Sequence, residues 1–239
     1  SNIALINLSC VSNQLQTLNI RNGTNTSLGT VDATNNPDLS CITADVETVP
    51  IDTNGQPIWQ IGTASLSFDC HYYQTKVPDN GFEQALIALG YDSGAPDDYV
   101  LTANISSLTS LNISNKGISD LTGLEAFESL VSLNVSNNAL TELNLSNALL
   151  ENLNGSQNPT ITNVNLVQLT NLKSLNVSNT NITGIDLTTN TNLISLYAAN
   201  TLLDIIENLN ACINLEVIDF SFTKLGAIDL SRNTKLLSV

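Results

Sequence analysis

From Leu108 onward the chain places an apolar residue at the first, fourth and sixth positions of a short unit and then begins again, as in Leu108, Leu111, Ile113 and Leu172, Leu175, Val177. First positions fall at Leu108, Leu130, Leu150, Leu172, Leu193, Leu215 and Leu236, so the steps are 22, 20, 22, 21, 22 and 21 residues. The fourth and sixth positions lie two apart on one face, as a strand requires. Leu111, Leu133, Leu153, Leu175, Leu196 and Ile218 fill the fourth, and only Gly155 fails to supply a side chain at the sixth. The second half of the unit repeats the spacing, with Ile182, Ile185 and Leu187 following Val177. A unit of about 21 residues cannot bury its own apolar face and must stack on its neighbours. The pattern predicts a mostly β solenoid with parallel strands.

Eight residues beyond each first leucine stand Lys116, Asn138, Asn158, Thr180, Thr201 and Thr223. Where the chain turns out of a strand its backbone groups lose their sheet partners, and a stacked amide or hydroxyl can satisfy them. These positions predict a polar ladder, broken at Lys116. Two similar units precede the main array, Leu5-Leu8-Cys10 through Leu15-Leu18-Ile20 and Leu28-Val31-Ala33, with Asn13 and Asn36 at the ladder position. Cys10 takes a small buried position there and reads as a packed thiol.

After Asn36 the period is lost through Pro50, Pro57 and Trp59 to Phe68-Asp-Cys70. This segment reads as a lid over the apolar end of a solenoid, closed by a predicted Cys41–Cys70 disulfide worth on the order of 3 kcal/mol for such a loop. Between Val77 and Gly90 the spacing changes to helical, with Asp79 or Asn80 as N-cap, Glu83 in the first turn, apolar residues at Phe82, Leu86 and Leu89, and Gly90 as the stop. One short cap helix is predicted, followed by an acidic loop, Asp92 to Asp98.

Composition narrows the function classes. Seven basic residues against 22 acidic ones give a net charge of −15, which removes the phosphate neutralisation that nucleic-acid binding depends on and disfavours anionic membrane surfaces. No apolar run approaches the roughly 18 to 20 residues that cross a bilayer. Aromatics are 5% and methionine is absent, which suits thin aliphatic layers better than an irregular enzyme core. His71 is the single histidine, and the spacings of a nucleophile elbow, a phosphate-binding loop and a zinc protease are missing. The four cysteines are too scattered for a zinc site. The chain is read as non-enzymatic, with no cofactor required. Asp92, Asp97 and Asp98 offer carboxylate oxygens to a hard cation such as Ca²⁺, against the alternative of a solvated linker.

The residues between the leucines form a carpet of small polar groups, Ser110-Leu-Asn112, Ser132-Leu-Asn134, Asn152-Leu-Asn154 and Ser174-Leu-Asn176, ending in Ser195-Leu-Tyr197 and Val217-Ile-Asp219. Tyr197 and Phe222 are the aromatic residues that stand out. The bland reading is a solvated face. The sharper one is weak, multivalent recognition of a polar glycan or protein by Asn134, Asn154, Asn176 and Asp219, with Tyr197 as a stacking platform.

The L-x-x-L-x-L-x-x-N unit followed by a nested half, as in Ile185-Asp-Leu187 and Ile228-Asp-Leu230, resembles the short class of bacterial leucine-rich repeat proteins. Val77 to Asp92 and Gly117 to Phe127 are similar to the opening cap and first repeat of such arrays in secreted bacterial surface proteins, and Asn22 to Cys41 resembles their closing cap. The resemblance implies export, often by the type IX route, and binding or adhesion at the cell surface. On this reading residues 1–71 end one array with its closing cap, 72–107 form a junction and N-terminal helical cap, and 108–239 form a second, truncated array. The chain is then expected to be a segment of a longer tandem protein. Alternatives are a structural stalk or fibre link, meeting further copies of itself, or an accessory module of a secreted enzyme.

Overall fold

The computed structural model describes residues 5–15, 17–21, 28–39, 41–45, 49–67 and 74–238. The chain divides into two compact units, 1–73 and 74–239.

Among the described residues the first unit holds six short strands, β1 (Asn7–Ser9), β2 (Thr17–Asn19), β3 (Thr30–Asp32), β4 (Cys41–Thr43), β5 (Trp59–Gln60) and β6 (Ser65–Ser67). They form two three-stranded parallel sheets, β1-β3-β5 and β2-β4-β6. The loss of period after Asn36 therefore does not end the solenoid, contrary to the lid expected from the sequence. β4 continues the second sheet, and β5 puts Trp59 opposite Val31, where Leu8 stands one turn earlier. Backbone pairing carries the stack past an insertion that an antiparallel bridge between Ile51 and Pro57 folds out of the ladder. Trp59, Ile42, Val31 and Leu39 are buried in this unit's own core. Cys41 sits half-buried in β4, whereas Cys70 and His71 lie outside the described residues.

The second unit opens with β7 (Gln74–Lys76), α1 (Asn80–Ala88), β8 (Tyr99–Leu101) and α2 (Thr102–Ile105), β7 and β8 pairing antiparallel. The Asp79 carboxylate caps α1 by accepting from the Phe82 N–H at 3.0 Å. At the other end Gly90, with φ +79°, and Tyr91 donate back to Ile87 and Leu86. Phe82 and Phe127 stack with centroids 6.1 Å apart, joining the cap to the first repeat.

The repeats then build one six-stranded parallel sheet from β9 (Ser110–Asn112) and β10 (Ser132–Asn134). After β11 (Glu142–Asn144) come β12 (Asn152–Asn154), β13 (Asn163–Asn165), β14 (Ser174–Asn176), β15 (Gly184–Asp186), β16 (Ser195–Tyr197), β17 (Ile205–Glu207) and β18 (Val217–Asp219). The large sheet runs β9-β10-β12-β14-β16-β18, while the nested halves pair as β11-β13 and β15-β17. This is a leucine-rich repeat solenoid. The first-position leucines from Leu130 to Leu215 and all six fourth-position residues are buried. Among the described residues no helix is long and apolar enough to cross a membrane.

Gly155 has a steric reason. A Cβ there would lie 2.5 Å from Cδ1 of Leu143, which reaches in from β11 and fills the space the missing side chain leaves.

Candidate functional site

Strand register settles where the predicted face residues stand. Asn112, Asn134, Asn154, Asn176, Tyr197 and Asp219 occupy one column, each opposite the next. Neighbouring strands lie about 4.8 Å apart, so the column is a regular array. Beside it run Ser110, Ser132, Asn152, Ser174, Ser195 and Val217, with Ser195 donating to Ser174 Oγ at 2.9 Å.

The carbonyl oxygens in this column are already committed. Asn134 Oδ1 accepts from the Ser136 N–H at 3.1 Å, Asn176 Oδ1 from Ser178 at 3.0 Å, and Asn154 Oδ1 from both the N–H and hydroxyl of Ser156. These local turns end each strand. What remains for a ligand is the Nδ2 amide group of each asparagine, a row of donors, followed by the Tyr197 ring. At the end of the row Asp219 accepts from the hydroxyl and N–H of Ser221, in that order of effect, and these bonds hold its carboxyl below the usual range.

The ladder residues face the other way. Asn158 Nδ2 donates to the carbonyls of Val135, Gly155 and Ser156, while its Oδ1 accepts from Asn138 and Leu140. Asn138 spans two turns likewise, donating to Ile113 and Val135 and accepting from Lys116 and Ile118. Asn36 does the same in the first unit, to Cys10, Ala33 and Thr34 with Leu15 donating. Thr180, Thr201 and Thr223 instead donate to Val177, Ala198 and Phe220 of their own turn, and Asn13 donates to Cys10 and Val11.

Three buried asparagines of the nested half escaped the sequence reading. Asn147, Asn190 and Asn233 each donate to two carbonyls of the preceding turn, at Leu124 and Phe127, Leu166 and Leu169, and Leu209 and Cys212. They alternate with apolar Phe127, Leu169 and Cys212, so the shorter turns carry the amide and the 22-residue turns the apolar group. Also missed was a corner column in the left-handed conformation, Asn115, Asn137, Gln157, Asn179, Asn200 and Phe222, with φ between 55° and 59°. Asparagine tolerates that conformation, and its recurrence seven residues beyond each first leucine was the available signal.

The acidic loop is organised from beneath. Buried Glu83 accepts from the N–H groups of Asp97 at 2.6 Å and Asp98 at 3.0 Å. Burial raises the Glu83 pKa against the effect of those bonds, and the charges of Asp97 and Asp92 add to the rise. Among the described residues no three acidic, histidine or cysteine side chains, Asp92, Asp97 and Asp98 included, converge into a group that could hold a metal ion. Cys212 is a buried thiol whose pKa is pushed up to about 11 by burial, and Cys10 is raised by burial and by Asp32.

No protein-family model matches the chain, and no curated protein matches it in sequence. Among solved structures, the functional domain of InlJ from Listeria monocytogenes, which includes a cysteine ladder, aligns at 25% identity over 68% of this chain and 41% of that one, with a TM-score of 0.47. The internalin InlF from Listeria monocytogenes aligns at 18% identity over 67% of this chain and 61% of that one, TM-score 0.44. Internalin C2 of the same organism aligns at 18% identity, covering 70% of this chain and 97% of its own, TM-score 0.34. The chain thus spans less than two thirds of the first two.

Proposed function

We propose that this chain is a non-enzymatic binding module, exported to the surface of a bacterial cell, that presents the outward face of its six-stranded sheet to a polar glycan or protein. The observation that carries the reading is the column of amide donors at Asn134, Asn154 and Asn176 whose oxygens are spent on local turns, leading to Tyr197 and Asp219. Such a row complements a ligand rich in hydrogen-bond acceptors, and a tyrosine ring adds apolar contact at little entropic cost. Weak contacts repeated at a fixed spacing accumulate through effective concentration. A segment of a tandem cell-surface protein, with residues 1–71 as the end of one array and 72–107 as the junction and helical cap that open the next, is part of the same proposal, as is the Cys41–Cys70 disulfide.

The test is a binding screen of the purified protein against glycans and bacterial or host surface proteins, repeated with Tyr197→Ala. The proposal expects a partner whose affinity falls at least tenfold in the variant. Binding that ignores Tyr197 would remove the sheet face from the assignment. A stalk role predicts no partner at all, with function residing in length.

A further inference from the structure

The chain holds four Asn-Gly pairs, at 22–23, 54–55, 80–81 and 154–155, of which the first lies outside the described residues. Such a pair is chemically weak, because glycine has no Cβ to shield its nitrogen from the asparagine side chain before it. Attack of that nitrogen on the side-chain carbonyl closes a five-membered ring. Closure needs Cβ and the glycine nitrogen nearly eclipsed about the Cα–C bond, which neither helical nor strand ψ provides. The fold therefore decides which pair reacts.

Two of the pairs are locked. Asn154 lies in β12, paired with β10 on one side and β14 on the other, and the Gly155 N–H donates to the Asn176 carbonyl at 2.8 Å. Its side-chain oxygen is held by Ser156. Asn80 opens α1, where its Oδ1 accepts from Gln84 at 3.1 Å. Gly81 is packed so closely there that a Cβ would lie 2.7 Å from the Lys116 carbonyl oxygen, so the start of the helix cannot rotate without leaving the first repeat.

The pair at 54–55 has neither restraint. It forms the tip of the insertion that the Ile51–Pro57 bridge folds out of the ladder, and every residue from 51 to 57 is exposed. Gly55 turns the chain at φ +76°, and a Cβ there would meet nothing within 4 Å. The Gly55 N–H donates to the Asp52 carbonyl at 3.0 Å, and the Asp52 carboxylate accepts from the N–H groups of Asn54 and Gln56 at 2.8 Å each. These bonds lie within the turn and in water, so opening it removes nothing from the core.

We propose that Asn54 is a site of spontaneous deamidation, with water as the co-reactant. A bond forms between the Gly55 nitrogen and Cγ of Asn54 as the Cγ–Nδ2 bond breaks, and the amide leaves as ammonia with the proton from Gly55. Water then opens the cyclic imide at either carbonyl, leaving aspartate or isoaspartate. The product adds a carboxylate beside Asp52 at the tip, outside the two parallel sheets, so surface charge changes while strand pairing does not. The site is independent of the sheet-face reading.

Incubation of the whole folded chain in mildly alkaline buffer tests it, with tandem mass spectrometry of proteolytic peptides locating each converted asparagine. The expected result is conversion at Asn54 at least tenfold faster than at Asn80 or Asn154, a difference that disappears in denaturing urea. Isoaspartate at position 54 accepts a methyl group from protein isoaspartate methyltransferase, and Asn54→Gln abolishes that signal with no shift in melting temperature. Conversion of Asn80 or Asn154 in the folded chain as fast as Asn54 overturns the proposal. So does an Asn54 that keeps its amide while the urea-unfolded chain converts, or a preference for Asn54 that persists in urea.

Discussion

At the residue scale the ladder separates two kinds of rung. Asn158 satisfies five backbone groups across two turns, whereas Thr180 satisfies one carbonyl of its own turn. Leaving a buried backbone group unpaired costs about 1–3 kcal/mol and a typical hydrogen bond contributes about 1 kcal/mol. Asn158→Ala is therefore expected to destabilise by more than about 3 kcal/mol and Thr180→Val by about 1 kcal/mol, measured as midpoints of urea unfolding. A second pair tests packing. Gly155→Ala is expected to cost about 1–3 kcal/mol by overpacking against Leu143, and much less in a Leu143→Val background. The positions of the ladder were legible in the sequence because Asn and Thr recur at one offset. The difference between bridging and local rungs was not, since it depends on whether the side chain reaches the next turn. Asn147, Asn190 and Asn233 were hidden because they recur only in every second turn.

The cap helix shows how one carboxylate joins elements. Asp79 Oδ1 caps α1, and its Oδ2 accepts from the Ser119 N–H and hydroxyl and from Asp120, so the same side chain ties the cap to the first repeat. Burial raises its pKa, but the N–H groups of Ser119 and Phe82 outweigh that and hold it below the ordinary value. A carboxyl lowered on folding stabilises above its unfolded pKa, and that contribution disappears as pH falls through the folded value. Asp79→Asn puts an amide donor against donors, and loss of the cap costs about 1–2 kcal/mol. The variant is expected to melt a few degrees below wild type at pH 7 and to converge on it as pH falls through the lowered pKa of Asp79. Glu83 has the opposite sign. Its raised pKa means that its contribution is present below the unfolded value and is lost as pH rises through the folded one. The helix itself was legible from Asp79, the 82-86-89 spacing and Gly90. The turn containing Trp59 was not, because an insertion between β4 and β5 breaks the count while parallel backbone pairing persists.

Across the whole molecule, two compact units each hold their own apolar core. The first has much the smaller core, and a cross-link between Cys41 and Cys70 would close a loop worth about 3–4 kcal/mol. Thiol labelling of the denatured, unreduced protein is expected to modify Cys10 and Cys212 only, and all four cysteines after reduction. Labelling of Cys41 without reduction would remove that cross-link. Residues 74–239 expressed alone are expected to unfold in one cooperative transition, because the repeats and their helical cap share one core. Periodicity made this architecture legible, since a stack repeats its pattern in the chain. The ligand is not so encoded, because the column from Asn134 to Asp219 arises only when five strands align. The most direct measurement is the affinity of the double variant Asn154→Asp/Asn176→Asp for the partner of the sheet face. The substitution keeps the turn-forming oxygens and removes the donors. Unchanged stability with binding lost is the predicted result, and unchanged stability with binding retained would contradict the account.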